Sequence, residues 1–261
     1  MSKVTKWALP LLVALCLSGC AFEPLSRFFG ADADKYFDDP RVVALLDAAQ
    51  KGNLDEVRSL VEDGADIESL SNDHDPKRAA ITPVLWAVEF GSARTVTTLL
   101  EAGADARAET VGGYNALNYA VLRDNIESMQ ALLNWDATLV DSPDRFGGNA
   151  VHGIALYGRE DMLDVMIDAG ASLDTRQTVS RQTPLFSAAA VNNVDMCLRL
   201  VKAGADAGLR NDGGLRNDIG ETFLPSLFRT NDTLMNRDFL SSREKLVDEM
   251  RARGFRIETG R

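Results

Sequence analysis

Residues 82–105 read Thr82-Pro83-Val84-Leu85-Trp86-Ala87-Val88-Glu89-Phe90-Gly91-Ser92-Ala93-Arg94-Thr95-Val96-Thr97-Thr98-Leu99-Leu100-Glu101-Ala102-Gly103-Ala104-Asp105. Two glycine nodes divide the stretch, Gly91 closing a short apolar run and Gly103 following twelve residues later. Five residues past Gly91 comes Val96, then the pair Leu99-Leu100. That i, i+3, i+4 spacing makes one buried stripe on a helix of about ten residues. The run before Gly91 predicts a second short helix, whose Ala87 permits close approach of a neighbour. Glycine, asparagine and aspartate suit the nodes because a helix that ends through the left-handed region tolerates those residues best.

The same frame recurs along the chain. Leu46–Glu68, Leu85–Arg107, Asn118–Val140, His152–Asp174 and Phe186–Gly208 superpose over 23 positions without a gap. Their first nodes are Gly52, Gly91, Asp124, Gly158 and Asn192; their second nodes are Gly64, Gly103, Asp136, Gly170 and Gly204. The second nodes are spaced by 39, 33, 34 and 34 residues. Stripe residues match throughout: Val57, Val96, Met129, Leu163 and Cys197, followed by Leu60-Val61, Leu99-Leu100, Leu132-Leu133, Met166-Ile167 and Leu200-Val201. No single helix pair can bury such a face alone, so the units are expected to stack into a solenoid.

The openings Thr82-Pro83-Val84-Leu85 and Thr183-Pro184-Leu185-Phe186 resemble the Thr-Pro-Leu-His start of ankyrin repeats. The closings Gly64-Ala65-Asp66, Gly103-Ala104-Asp105 and Gly204-Ala205-Asp206 resemble the ankyrin Gly-Ala-Asp ending. The resemblance implies an all-α ankyrin-repeat solenoid of about five to six helix–turn–helix units with a C-terminal capping helix. The repeats are expected over 40–210, as units 40–71, 79–110, 112–143, 146–177 and 180–210. Asn115-Ala116-Leu117-Asn118 and Asn149-Ala150-Val151-His152 replace the Thr-Pro opening. Asparagine also caps a helix start, which leaves only the local turn geometry open there.

The ends of the chain differ from the middle. Residues 211–261 read as a degenerate last repeat with an insertion marked by Gly213, Gly214 and Gly220. Leu224-Pro225 is expected to open a short helix, and Gly254 to be the final node, with Ser242 twelve residues before it. Val247 and Met250 then fall on the stripe, while Arg251 replaces an apolar residue as a capping helix requires. Residues 20–39 carry no repeat signature and read as a tether.

The first nineteen residues read as an address. Lys3 and Lys6 precede an apolar run from Trp7 to Leu17, too short for the roughly twenty residues of a membrane span. Leu17-Ser18-Gly19-Cys20 resembles the lipobox of bacterial lipoproteins, which implies lipid on Cys20 and a mature chain starting there. The alternative is an ordinary secretory signal with an incidental cysteine. Removal of residues 1–19 takes two lysines and no acids, moving the charge from −11 to −13. Ala21, with no aspartate after the cysteine, resembles lipoproteins sorted to the outer membrane, and the expected location is the envelope, facing the periplasm. Cys16 leaves with the signal and lipid blocks Cys20, so Cys197 is left alone.

Composition agrees with a folded body and excludes several functions. Of 261 residues 45% are apolar, and 39 acidic side chains outnumber 28 basic ones. An excess of acids disfavours nucleic acid, whose phosphates need Lys and Arg. His74 and His152 are the only histidines. His152 occupies the ankyrin histidine position, where the resemblance implies a structural bond to neighbouring backbone. Asp73-His74-Asp75 could hold zinc but lacks a second histidine or cysteine nearby and reads better as a solvated loop. Neither a nucleophile elbow, nor a Walker loop, nor a dinucleotide fingerprint occurs. Gly112-Gly113 and Gly147-Gly148 fit turns between repeats rather than phosphate cradles. No enzyme activity, metal, cofactor or small-molecule substrate is expected.

The resemblance places partner binding on the concave face, made by the fingers and first helices. Matching positions are Glu89-Phe90, Leu122-Arg123, Leu156-Tyr157 and Ala190-Val191, with Arg78, Ile81, Tyr114, Arg145, Phe146, Arg181 and Gln182 on the fingers. Phe90, Tyr114, Phe146 and Tyr157 are aromatics where exposure is expected, and aromatics with arginine are typical anchors. Packing against neighbouring fingers or inserted loops is the alternative. Trp86 and Tyr119 fall on the inward turn and are expected in the core. The acidic body suggests a partner with a basic patch; a plain solubility role fits the charge equally. Anchor, binding solenoid and missing chemistry together resemble periplasmic immunity proteins that neutralise a toxic effector such as a lipase. An envelope scaffold or stress-response helper for a resident periplasmic enzyme is the second reading.

Overall fold

A computed structural model of the chain describes residues 32–72, 80–110, 112–212, 220–229, 232 and 235–260. Five helix pairs follow in order: α1 (Pro40–Lys51) with α2 (Leu54–Glu62), α3 (Pro83–Phe90) with α4 (Ala93–Glu101), α5 (Ala116–Leu122) with α6 (Ile126–Trp135), α7 (Ala150–Tyr157) with α8 (Glu160–Asp168), and α9 (Pro184–Ala190) with α10 (Val194–Ala203). A final helix, α11, spans Arg237–Ala252, and no strand occurs among the described residues. The odd-numbered helices α1 to α9 form an inner layer, each packed on the next. The even-numbered ones form an outer layer in which α2 to α8 pack in turn and Arg199 of α10 reaches Glu160 and Asp164 of α8. This is the all-α solenoid that the repeat pattern predicts.

Burial follows the sequence pattern in both layers. In α3 every residue except Glu89 is buried, because an inner helix touches two neighbours and its own outer helix. Ala48, Ala49, Ala87, Ala120, Ala155, Ala188 and Ala189 are buried at those contacts, where larger side chains would hold the helices apart. On the outer layer one stripe is buried per helix, such as Val96, Leu99 and Leu100 on α4 and Cys197, Leu200 and Val201 on α10. Cys197 is a buried apolar filler whose thiol burial holds above its ordinary titration range.

Eight of the ten nodes turn through positive φ; two do not. Gly91 is extended at φ −88°, and glycine is needed there for space instead, since a Cβ would lie 2.7 Å from the Ala87 carbonyl oxygen. Asp136 is extended at φ −142° and accepts a bond from the Thr138 amide, capping a 3-10 turn at Ala137–Asp141. An aspartate at that node therefore starts a new turn rather than merely closing the old helix.

Polar side chains then stitch one unit to the next. Asn125 accepts from Ser128 N at 3.0 Å, capping α6, and donates to the Val88 carbonyl of the preceding unit at 2.7 Å. Asn115 caps α5 and donates to the Pro143 carbonyl at 3.2 Å. Asn149, expected as a cap, forms no cap bond; it donates to Asp141 and to the Ser172 carbonyl, both at 2.8 Å. The Thr and Asn openings share one extended geometry, with φ between −76° and −99°, so the replacements leave the turn intact. Carboxylates of one unit also accept backbone amides of the next: Glu68 from Asp105 at 2.7 Å and Asp174 from Asp206 at 2.9 Å. Partial burial raises the pKa of both groups above the ordinary carboxylate range.

His152 is buried, and its Nε2 lies 3.2 Å from the Gln182 carbonyl, tying the next finger to α7. Burial lowers the ring's pKa below the ordinary 6.5, which favours the neutral form.

Both ends are capped. The expected tether is in part a cap: Ala33 and Phe37 are buried, and the Tyr36 carbonyl accepts from Asn72 N at 2.6 Å. At the far end a 3-10 turn, Leu224–Phe228, takes the inner-helix place beside α9, and α11 lies on α10. Ser242 is inside α11 rather than at a node, because this helix runs unbroken for 16 residues. Gly254 does end the unit at φ 81°, and Val247 and Met250 are buried while Arg251 is exposed. Buried Arg243 pins the cap, donating to the Leu227 carbonyl at 3.0 Å and pairing with Asp232 at 2.9 Å.

Replacing Asn125 by Ala removes a cap and an inter-unit bond together, and is expected to cost about 2–3 kcal/mol in urea unfolding; a loss below about 0.5 kcal/mol would sink this role. Depression of the His152 pKa means that the unfolded chain binds a proton that the folded chain refuses. Its contribution is complete above pH 6.5 and declines as the pH falls below it. Unfolding midpoints measured between pH 7 and 5 should therefore fall more steeply for the parent chain than for His152→Gln; parallel slopes would contradict a buried neutral ring.

Candidate protein-interaction face

Each inner helix ends by turning its last residues toward the concave side, and the fingers extend that side as a row. Consecutive fingers are hydrogen-bonded. Arg145 N donates to the Gly113 carbonyl at 3.2 Å, and Thr178 N donates to the Phe146 carbonyl at 2.7 Å. Within the middle finger, Asp144 accepts from Phe146 N at 2.8 Å and Gly148 N at 2.9 Å. Gly113 and Gly147 turn at φ 70° and 75°, the tight turns expected of the glycine pairs.

The expected site residues divide into three groups. Phe90 does not fit the exposure expected of it: it is only 8% exposed, its ring lying 4.8 Å from Tyr36 and 5.8 Å from Trp86. The N-terminal cap occupies that stretch of the concave side. Ile81 is likewise buried, donating its amide to Ser71 Oγ at 3.0 Å. Arg78 lies outside the described residues, as do Cys20 and Asp73-His74-Asp75.

A second group satisfies itself. The Tyr119 hydroxyl donates to Glu89, and Arg123 donates to that hydroxyl at 2.8 Å while pairing with Glu89 at 3.1 Å. Burial and the neighbouring carboxylate hold the Tyr119 phenol well above its usual titration range. Tyr119 is buried as expected of a core residue, yet its oxygen completes a polar cluster at the face. Leu122 is half-buried against the core beside it.

The third group is open. Phe146, Leu156 and Tyr157 are 49%, 41% and 43% exposed, large apolar side chains together on the fourth unit. With Tyr114 and Gly153 they line a cleft of about 90 Å³. Its floor depends on Gly153, where a Cβ would come within 3.3 Å of Val121. The Arg145 guanidinium stands over two aromatic rings, 4.5 Å from Phe146 of its own finger and 5.6 Å from Tyr114 of the preceding one. Partial burial, followed by the neighbouring Tyr114 hydroxyl, raises the Tyr157 pKa. Arg181 is exposed on the next finger.

Three exposed large apolar side chains escaped the sequence reading, one of them Leu70. Val179 is 87% exposed on the Arg181 finger. Trp135 is exposed on the outer layer, near Arg94 and Ala131. The repeat frame carries the signal for Trp135, since the matching positions are Asp63, Ala102, Ala169 and Ala203. Among the described residues no cluster of three or more His, Cys, Asp or Glu could hold a metal ion, and no helix is long and apolar enough to cross a membrane.

Comparison with known proteins agrees with this architecture. The sequence pattern of ankyrin repeats matches residues 45–144 as three copies and residues 180–212 as one more, together just over half of the chain. A putative palmitoyltransferase ZDHHC13 of Danio rerio is 32% identical over 197 residues, 74% of this chain and 30% of that protein. The neurogenic locus notch homolog protein 1 of Homo sapiens is 31% identical over 144 residues, 55% of this chain and 6% of that protein. A putative ankyrin repeat protein FPV222 of fowlpox virus is 32% identical over 132 residues, covering 49% of this chain and 17% of that protein. The chain thus spans 30% or less of each of these relatives.

Proposed function

The chain belongs to the ankyrin-repeat family, and from that premise we propose that it is a lipid-anchored immunity protein of the bacterial envelope, which binds and neutralises a toxic effector such as a lipase in the periplasm. Ankyrin repeats imply a protein–protein interaction module, and the family is generally non-enzymatic. The palmitoyltransferase shares 30% of its length with this chain, so no acyl transfer is proposed. The observation that carries the binding reading is the open group of Tyr114, Arg145, Phe146, Leu156 and Tyr157, with Arg181 on the next finger. Glu89, Leu122 and Arg123 border it, while Phe90 is assigned to the N-terminal cap. Exposed aromatics beside arginine are typical interface anchors, and their surroundings here are hydrogen-bonded fingers that need little ordering on contact.

The envelope part of the proposal rests on Leu17-Ser18-Gly19-Cys20 after the short apolar run. Several acyl chains on Cys20 would give a stable anchor where one binds marginally. An outer-membrane position facing the periplasm follows from Ala21. A tethered binder is held at high local concentration where an effector arrives.

Affinity capture from envelope extracts is expected to return one stoichiometric partner with the mature chain. Phe146→Ala combined with Tyr157→Ala should weaken retention at least thirtyfold, since a true anchor contributes about 2 kcal/mol or more. Equal retention by both chains, or no partner at all, overturns the face; a resident enzyme as partner overturns the immunity role in favour of a scaffold. Cys20→Ser should move the protein from the detergent phase to the aqueous phase and abolish incorporation of labelled acyl chains. Unchanged partition would exclude the anchor.

A further inference from the structure

Net charge favours a basic partner, but Arg145 and Arg181 at the open face have no acidic partner among the described residues. We propose that this face takes an acidic segment of its protein partner, with carboxylates on Arg145 and Arg181 and an apolar side chain in the cleft between Phe146, Leu156 and Tyr157. The inference rests on the reading of this face as the binding surface.

Many arginines elsewhere on the fold are neutralised, although Arg58, Arg94, Arg176 and Arg237 form no ion pair either among the described residues. Arg123 pairs with Glu89, Arg159 with Asp124, Arg107 with Asp136, and Arg199 with both Glu160 and Asp164. The side chains of Arg145 and Arg181 make no ion pair or hydrogen bond among the described residues. Arg145 is held by stacking on Tyr114 and Phe146, which fixes a planar donor without consuming its N–H groups. Several acids near the face are engaged: Glu89 by Arg123 and Tyr119, Asp124 by Arg159, and Asp144, which itself lines the cleft, by two backbone amides of its own finger. Glu109 and Asp212 stand on the fingers before and after these two arginines.

Arg181 adds an independent observation. Positions 113, 147 and 181 are 34 residues apart and all turn left-handed, at φ 70°, 75° and 56°. The first two are glycine, which adopts that conformation without steric cost; arginine does not. The turn is closely held, with Gln177 N donating to the Gln182 carbonyl at 3.0 Å and Arg181 N to the Gln177 carbonyl at 3.1 Å. Strain kept where glycine would relieve it marks a functional side chain. Nucleic acid is the other anion that arginines and aromatics attract, but it needs many basic contacts along a phosphate backbone, whereas two arginines beside a cleft of about 90 Å³ suit a short peptide segment.

Short random peptides displayed on phage, selected against the immobilised full chain, test this. Enriched peptides should carry Asp or Glu beside an aromatic or aliphatic residue. A synthetic peptide from that set should bind about five- to tenfold more weakly to Arg145→Ala and to Arg181→Gly. Arg181→Gly should at the same time unfold at an equal or higher urea concentration, because strain is relieved; a merely structural arginine would lower the midpoint. Enrichment of Lys- or Arg-rich peptides, no enrichment over an unrelated protein, or unchanged affinity in Arg181→Gly overturns the acidic segment. If those peptides are still lost on Phe146→Ala with Tyr157→Ala, the face itself stands; if they are not, both readings fall. Tighter binding of mixed-sequence single-stranded DNA than of the acidic peptides overturns the proposal in favour of nucleic acid.

Discussion

The structure depends on the burial of each inner helix between two others. A helix of seven or eight residues is too short to be stable in water by itself, and most of its stability here comes from packing on all sides. Alanines at the contact positions bring neighbouring backbones close enough for side chains such as Asn125 to reach a carbonyl of the previous unit. Because contacts run only between neighbours, the two ends of the stack would expose apolar surface without caps. That need accounts for a 3-10 turn at Ala33–Lys35 with Phe37 at one end, and for α11 with buried Arg243 at the other.

Capping and recognition compete for the same surface. The N-terminal cap covers the concave end of the second unit, and the Glu89–Tyr119–Arg123 cluster closes the stretch beside it. What remains open lies on the third and fourth units, with the finger of the fifth beyond. The fingers there are linked by backbone bonds, so an anchor such as Phe146 sits on a fixed platform. Although the chain as a whole is acidic, Arg145 and Arg181 at this platform have no acidic partner among the described residues. Whole-chain charge governs long-range approach, whereas contact chemistry is decided by which groups are left unmatched.

Much of this was legible in the residues. Period, stripe and Gly-Ala-Asp closings specify helix pairs and their stacking, because a buried stripe at helical spacing has few other uses. His152 could be placed for a similar reason, as a lone histidine at the start of an inner helix. The nodes were legible only in part. Gly91 and Asp136 share the residue types of the other nodes, yet one answers a close approach to Ala87 and the other starts a new turn. Residue type reports that a special backbone is required, and it does not report which constraint imposes it.

The sequence by itself determined the repeating unit, the buried stripes and the set of residues from which a binding face could be drawn. Tertiary structure alone decided which members of that set are open. Phe90 and Tyr157 hold the same place in the repeat frame, each just before a first node, but Tyr36 packs on the first while the second is exposed. Exposure depends on what segments far along the chain bring to a position, and a local pattern cannot encode it. The same holds for charge: an arginine is unmatched only when every carboxylate within reach has another partner, and reach is a property of the folded chain.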